Sequence, residues 1–542
     1  MRKKDRGPVL EEVGRRVLEK ALNSQPGADL QSGLDHLLHE VLYYEQKRLE
    51  SDSLCVARAD DEKWLKTVRS RFGKGGLKEK KQLLEEIIVR HTEEVGGNFS
   101  PPVYGFSTRV VPQLLGFLLN ASSPLGIIKS HGKPPDVAAR LEISGPIEQI
   151  RKLADIGTSV FVPTHSSNMD SIIMGYAIYR CGLPPLTYGA GLNLFHHRFL
   201  GFFMNRLGAY KVDRLKKHRL YNWVLKEYAS VTMEKGYPNL FFPGGTRSRS
   251  GAVEQNLKLG LLGCCIHAYK NNVRENLSES RRNGSAGTGK QPKPVFIVPC
   301  TLNYQLVLEA QTLIEDHLKS AGKSRFIISD DEFSRVDRIA SFMKSLFTLD
   351  AKIYVRFGRV MDPFGNPVDE SGRSMDGRGR LIDPSRYFMQ QGRFVEDEQR
   401  DWVYTRLLGK SIARSFAKET VVFSTNVLAW AVFDELRRRQ PDPDFYRFLR
   451  ETAYDVSLPM VEVYEHAERV LSNVRDLAGR GFFHLAEPLR RRPTEEVVDS
   501  ALRLFGCYHE KPVVRRKGDR LLAGDMNLLY YYRNRLWGLG LE

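Results

Sequence analysis

Long apolar runs are scarce in this 542-residue sequence. No segment reaches the roughly 18 to 20 consecutive apolar residues of a membrane-spanning helix. The nearest candidates are Val110 to Leu119, broken by Pro112 and Gln113, and Val421 to Phe433, broken by Ser424, Thr425 and Asn426; their length and period predict core helices. Cysteine is sparse as well. The six cysteines, Cys55, Cys181, Cys264, Cys265, Cys300 and Cys507, form no Cys-x-x-Cys pair. This argues against a zinc site or disulfide framework and predicts buried thiols in a reducing compartment. The Gly-Lys-Ser/Thr ending of a phosphate-binding Walker loop is absent, as is the Gly-x-Ser-x-Gly of a serine hydrolase elbow. No internal repeat is present, and no nucleic-acid-binding motif accompanies the charge. The N-terminus is basic from Met1 to Asp5, but Val9-Leu10-Glu11-Glu12-Val13 follows in place of an apolar core. No secretory signal is therefore expected, and the mature chain is expected to start near Met1.

Positive charge is what the chain has in excess. It carries 82 Lys and Arg against 65 Asp and Glu, a formal net charge of +17. Such a balance favours anionic partners: phosphorylated substrates, membrane headgroups, acidic carrier proteins or nucleic acid. The 42% hydrophobic and 27% charged content is that of a globular protein, long enough for two or three domains.

Helical spacing of Leu18 and Leu22, of Leu34, Leu37, Leu38, Val41 and Leu42, and of Leu83, Leu84, Ile87 and Ile88 predicts a helical N-terminal domain over 1–130. Short apolar runs then alternate with helical stretches, as at Val160 to Val162, Leu240 to Phe242, Val295 to Val298 and Ile353 to Val355. This alternation predicts an α/β core over 131–365. Residues 366–542 read as mostly helical. The polar stretch Asn271 to Pro294 reads as an exposed, mobile insertion, and Asp362 to Arg393 as a second loop. The runs Arg437 to Arg439, Arg490 to Arg492 and Arg515 to Lys517 read as solvated faces that together could approach an anionic membrane.

Two segments carry candidate chemistry. Thr164-His165-Ser166-Ser167-Asn168-Met169-Asp170 follows the run Val160 to Pro163, so an imidazole and a carboxylate stand five positions apart where a strand enters a helix. Such a pair can act as a base and its orienter, activating a hydroxyl. Singly, His165 reads as structural and Asp170 as a helix cap. His131 and Asp136 repeat the spacing, but Pro134-Pro135 between them favours an extended loop and no strand precedes the histidine. The second segment is Phe242-Pro243-Gly244-Gly245-Thr246-Arg247-Ser248-Arg249-Ser250-Gly251. Its glycines let backbone amides approach a ligand, and its arginines offer forked donors for phosphate oxygens.

In order, His165 to Asp170, Gly191-Leu192-Asn193-Leu194, Gly208 to Arg214, Gly244 to Arg249 and Ile297-Val298-Pro299 resemble the blocks of the glycerolipid acyltransferase family, most closely its glycerol-3-phosphate acyltransferase branch. The match covers about residues 140 to 360. Tyr304, Glu309 and Val355 to Gly358 extend it, and Tyr531-Tyr532-Arg533-Asn534 looks like the end of that branch.

The resemblance implies an α/β fold with a mixed-sheet acyltransferase core and helical flanks. It implies acyl transfer from acyl-CoA or acyl-carrier protein to glycerol-3-phosphate, the first step of phospholipid synthesis, at the cytoplasmic face of a membrane through peripheral contact. No cofactor, metal or nucleic acid is expected. In this reading His165 is the general base and Asp170 holds it. Arg214, Arg247 and Arg249, with the hydroxyls of Thr246 and Ser248, bind the acceptor phosphate. Gly244, Gly245, Asn193 and Pro299 shape the site, Pro299 ending a strand beside it. Two positions depart from the branch. Asp213 stands where another arginine is common, and Gly244 stands where the family has a glutamate thought to hold the acceptor. Dihydroxyacetone phosphate or a lysophospholipid therefore remains open as acceptor, as does a catalytically silent membrane- or nucleic-acid-binding protein.

Overall fold

The computed structural model describes residues 3–23, 30–51, 58–109, 140–192, 195, 198–282, 291–321, 352–441, 444–451, 456–507, 509 and 511–541. Val110 to Leu119, His131, Asp136, Asn193 and Cys55 lie outside them. Four helices come first: α1 (Lys3–Asn23), α2 (Leu30–Ser51), α3 (Arg58–Lys74) and α4 (Leu77–Val95). Val9, Val13 and Val17 of α1 and Leu84, Ile87 and Ile88 of α4 recur at helical spacing. They pack with Tyr210, Tyr221, Val224 and Tyr228 into one apolar cluster, so these helices bury their stripe against the next region of the chain.

That next region is a seven-stranded sheet in the order β1-β7-β6-β2-β5-β3-β4. The strands are β1 (Leu141–Ser144), β2 (Thr158–Pro163), β3 (Thr187–Gly191), β4 (Ala209–Val212), β5 (Asn239–Leu240), β6 (Val295–Tyr304) and β7 (Ile353–Phe357). All neighbours run parallel except β6 and β7, so the expected α/β mixed sheet is present. β2 and β6 are buried at every position, as central strands covered on both faces require. Connecting helices supply the cover: α5 (Ile147–Ile156), α6 (Asp170–Arg180), α7 (Arg198–Arg206), α8 (Arg219–Glu234), α9 (Leu259–Arg282) and α10 (Ala310–Ala321).

Three expectations need correction. Residues 271–282 are the last part of α9 and not a mobile insertion: Val273 is fully buried and Leu277 packs on the same cluster, an apolar pair that the surrounding polar residues conceal in the sequence. Of the run Leu240 to Phe242 only Leu240 belongs to the sheet, in the two-residue strand Asn239–Leu240. Pro299 sits mid-way along β6, paired with Val162, and does not end the strand. Its carbonyl accepts the Gly358 N–H at 2.8 Å, but it has no N–H to return. The ladder of β7 with β6 accordingly begins at Cys300.

The later helices α11 (Glu398–Glu419), α12 (Ser424–Arg439), α13 (Met460–Gly479), α14 (Thr494–Cys507) and α15 (Met526–Arg533) share the core of the sheet. Leu428, Val432, Phe505, Leu528 and Tyr532 belong to the same cluster as Ile150, Met174, Val298 and Leu313. Ser424, Thr425 and Asn426, which interrupt the apolar run in sequence, form the first turn of α12, where Asn426 Oδ1 caps the Phe423 N–H at 3.0 Å. The four described cysteines with resolved burial, Cys181, Cys264, Cys265 and Cys300, are free and buried, as expected.

The segment around α15 docks on the glycine-rich loop. Asn534 Nδ2 donates to Ser250 O at 2.9 Å, and Gly251, at φ +81°, lies directly against the Tyr531 carbonyl. A Cβ at 251 would be strained by that dihedral and would collide with that oxygen. Gly251→Ala is expected to lower stability by about 1–3 kcal/mol, read as a lower urea midpoint. An unchanged midpoint would show that this contact is loose in solution.

Candidate active site

β2 lies between β5 and β6, all three parallel, so the segments leaving their carboxyl ends stand side by side. This is where open α/β sheets place ligands. The loop after β2 carries His165, the loop after β5 carries Gly244 to Arg249, and β6 ends at Tyr304. The Ser248 N–H donates to His165 O at 2.7 Å, tying the first two loops, and the Leu302 N–H donates to Thr164 Oγ1 at 3.0 Å, tying the first to β6.

His165 Nδ1 is 2.9 Å from Asp170 Oδ2. Asp170, the first residue of α6, is fully buried. Oδ2 also accepts the Ser166 and Ser167 N–H groups at 2.6 and 2.9 Å, and Oδ1 accepts the Tyr304 hydroxyl. With every other partner a donor, Asp170 accepts from Nδ1–H as well, which leaves the His165 Nε2 lone pair outward. Nε2 has no protein partner among the described residues, and 16% of the His165 side chain is open to solvent. The ring stacks on Phe242, centroids 4.2 Å apart, which fixes its plane.

Glu309 braces the same loop. Its carboxyl accepts Ser167 Oγ–H and Asn168 N–H, both at 2.9 Å, and burial raises its pKa. Arg247 approaches Glu309 at 3.6 Å, too far for a hydrogen bond, so its forked donors keep capacity for an anion. Arg214 reaches solvent near Arg247. Desolvation by the surrounding chain, then the like charge of Arg247, lower its pKa. The other residues of the proposed phosphate set are placed differently. Arg249 is paired with Asp316 of α10 at 2.7 Å, Ser248 Oγ donates to Ala252 O at 2.8 Å, and Thr246 is exposed on the turn. Gly245 turns the loop at φ +75°. Asn193 lies outside the described residues.

Gly244 lies against a carboxyl from further along its own loop. Glu254 Oε1 accepts the His165 N–H at 3.1 Å. Burial pushes the Glu254 pKa up to about 8, partly offset by that hydrogen bond and raised further by Asp170. Sequence reading missed this residue, and it assigned no role to Tyr304 or Glu309.

The buried groups Glu45, His91 and His218 also converge, at the seam between the N-terminal helices and the sheet. Lys216 Nζ is 3.8 Å from Glu45 Oε1 and Arg48 Nη2 is 2.8 Å from Oε2, so cations already neutralise the carboxylate. Burial pulls the His91 pKa down to about 4. A groove of about 1270 Å³ opens at the opposite, amino-terminal end of β6, lined by Lys293, Asp362, Arg373 and Tyr387, and it lies apart from His165.

Residues 146–302, which include His165, Asp170 and Gly244 to Arg249, match the family model described as Acyltransferase. Glycerol-3-phosphate acyltransferases of Pseudomonas paraeruginosa and Pseudomonas aeruginosa are 24% identical over 413 residues and 25% identical over 368 residues. The alignments cover 73% and 67% of this chain, but only 42% and 36% of those relatives, so the chain spans less than half of their length. A Pseudomonas putida protein of the same name is 30% identical over 213 residues, 39% of this chain and 22% of its own. The resemblance read from the ordered blocks is thus borne out.

Glu254 also generates a stability test. In the unfolded chain its carboxyl ionises near 4.5, whereas burial holds the proton to about 8. A raised carboxyl pKa costs the fold stability as pH rises from about 4.5 to about 8. Glu254→Gln is expected to shrink that decline, measured as unfolding free energy at about pH 5 and pH 8. An unaltered decline would contradict the buried placement.

Proposed function

We propose that this chain, through its acyltransferase-family domain, moves a fatty acyl group from acyl-CoA or acyl-carrier protein to glycerol-3-phosphate. The observation that carries the reading is the outward Nε2 of His165, oriented by buried Asp170, in the loop next to Arg247. An acceptor hydroxyl gives its proton to Nε2 as its oxygen attacks the thioester carbonyl. The tetrahedral intermediate then collapses, the carbon–sulfur bond breaks, and the imidazolium returns the proton to the departing thiolate. Asp170 stabilises the imidazolium in between. No acyl-enzyme and no cofactor take part. Arg247 and Arg214 supply positive charge for the acceptor phosphate, and the net charge of +17 suits the anionic donors.

With labelled donor and glycerol-3-phosphate, His165→Ala is expected to lower kcat by about 10²- to 10⁴-fold. Arg247→Ala is expected to raise the acceptor KM and leave the donor KM unchanged. Equal product from wild type and His165→Ala would sink the base assignment. An unchanged acceptor KM in Arg247→Ala would remove the phosphate role.

Peripheral contact with the cytoplasmic face of a membrane belongs to the same proposal. Phe106 and Phe202 are exposed, Phe203 lies against both, and the Arg206 guanidinium covers the Phe202 ring at 3.9 Å. Aromatics beside a cation suit an anionic lipid interface. Replacing both Phe106 and Phe202 by serine is expected to reduce co-sedimentation with vesicles containing anionic lipid. Undiminished binding would remove this patch from the proposal.

A further inference from the structure

The glycine-rich loop has no side chain at 244, and the space beside it is occupied by a carboxyl from ten residues further on. A Cβ at 244 would stand 2.6 Å from Glu254 Oε1, 2.8 Å from its Cδ and 3.1 Å from Oε2. These separations are below or at the edge of van der Waals contact, so side chains at 244 and 254 compete for one volume. Oε1 is already committed to the His165 N–H. Oε2 is sealed from solvent and accepts no hydrogen bond among the described residues. A sealed, unpaired carboxyl oxygen is costly and calls for a partner. What lies against it is Gly244, followed by Gly245, and a glycine pair is the backbone that shifts with least steric resistance.

We infer that Glu254 is the acceptor-side carboxyl of this site: Oε1 fixes the His165 backbone, and Oε2 accepts a hydrogen bond from the second hydroxyl of a phosphorylated polyol, in the place that Gly244 leaves empty. The inference rests on the acyl-transfer reading and narrows its acceptor. Glycerol-3-phosphate carries two free hydroxyls, one to be acylated and one to be held. Dihydroxyacetone phosphate carries one hydroxyl and a ketone, and a ketone cannot donate to Oε2. A site built to accept from a hydroxyl discriminates against an analogue that lacks it. This discrimination belongs to the carboxylate, because a protonated Glu254 could itself donate to a ketone. Burial and then Asp170 oppose that ionised form and the His165 N–H and Arg535 favour it, so acceptor binding and selectivity tighten as pH rises towards about 8.

The test measures kcat and KM for both acceptors in wild type, Glu254→Gln, Gly244→Glu and the double variant Gly244→Glu/Glu254→Gly, with circular dichroism to establish folding. Glu254→Gln keeps the shape and the bond to His165 N–H. It is expected to raise the glycerol-3-phosphate KM about tenfold, leave the donor KM unaltered, and lower the preference over dihydroxyacetone phosphate. It should also lose the pH dependence of acceptor KM. Gly244→Glu forces two side chains into one space and is expected to be about tenfold or more less active. Removing the Glu254 side chain in the double variant is expected to recover that loss, because the carboxyl has been relocated.

Glu254→Gln with wild-type acceptor KM, selectivity and pH profile would overturn the inference. So would a folded double variant no more active than Gly244→Glu. If wild type itself acylates no phosphorylated acceptor, the acyl-transfer reading falls and takes this role with it. That outcome is distinct from wild-type turnover equalled by Glu254→Gln.

Discussion

A carboxylate with no solvent exposure sits at the start of α6, and the site depends on keeping Asp170 satisfied there. Burying such a charge costs several kcal/mol unless its oxygens are occupied. Four donors occupy them: the His165 ring, the Ser166 and Ser167 amides, and the Tyr304 hydroxyl. The helix N-terminus adds its own positive end. Three of these donors belong to the loop after β2 and one to the end of β6, so the β2–β6 pairing is a condition for the imidazole to be oriented at all.

The loop that presents His165 is held on several sides. Glu309 takes Ser167 and Asn168, Glu254 takes the His165 amide, and Ser248 reaches the His165 carbonyl. Two of those holders are carboxyls whose protonated forms are favoured by burial, so before an acceptor binds acidic groups can crowd His165 without three negative charges meeting in one small volume, and a hydroxyl donating to Glu254 draws it towards its carboxylate. The arginines divide in a similar way. Arg249 is engaged by Asp316, whereas Arg247 stays beyond hydrogen-bond reach of Glu309 and feels Arg214. Two positive charges, Arg247 and Arg214, therefore stand near each other at the glycine-rich loop.

Much of this was legible in the sequence because it is local. His165 and Asp170 are five residues apart, and the apolar run Val160 to Pro163 precedes them; the glycine-arginine loop is one contiguous block. The partners that complete the site are distant in sequence. Tyr304 meets Asp170 only because β6 inserts next to β2, and no periodicity encodes strand order. Glu254 was hidden for a different reason. Its importance comes from the missing side chain at 244, and a lone glutamate in a loop carries no signal until the two positions are seen to share space. α9 was misread past Asn271 because Val273 and Leu277 are isolated among polar residues, so the helical period is faint although one face is buried.

Residues 526–536 wrap behind the glycine-rich loop. Tyr531 lies against Gly251, Asn534 holds Ser250, and Arg535 reaches Asn303 at 2.5 Å, one residue before Tyr304. This gives the chain an order of assembly. During synthesis the β2 and β5 loops exist long before residue 526 is made, and the loop bearing Gly244, though tied to the His165 loop through Ser248, gains the backing of that segment only when it docks. Completion of the candidate site is thus a late folding step. A nascent chain can build its sheet while the His165 loop and the glycine-rich loop still lack this support.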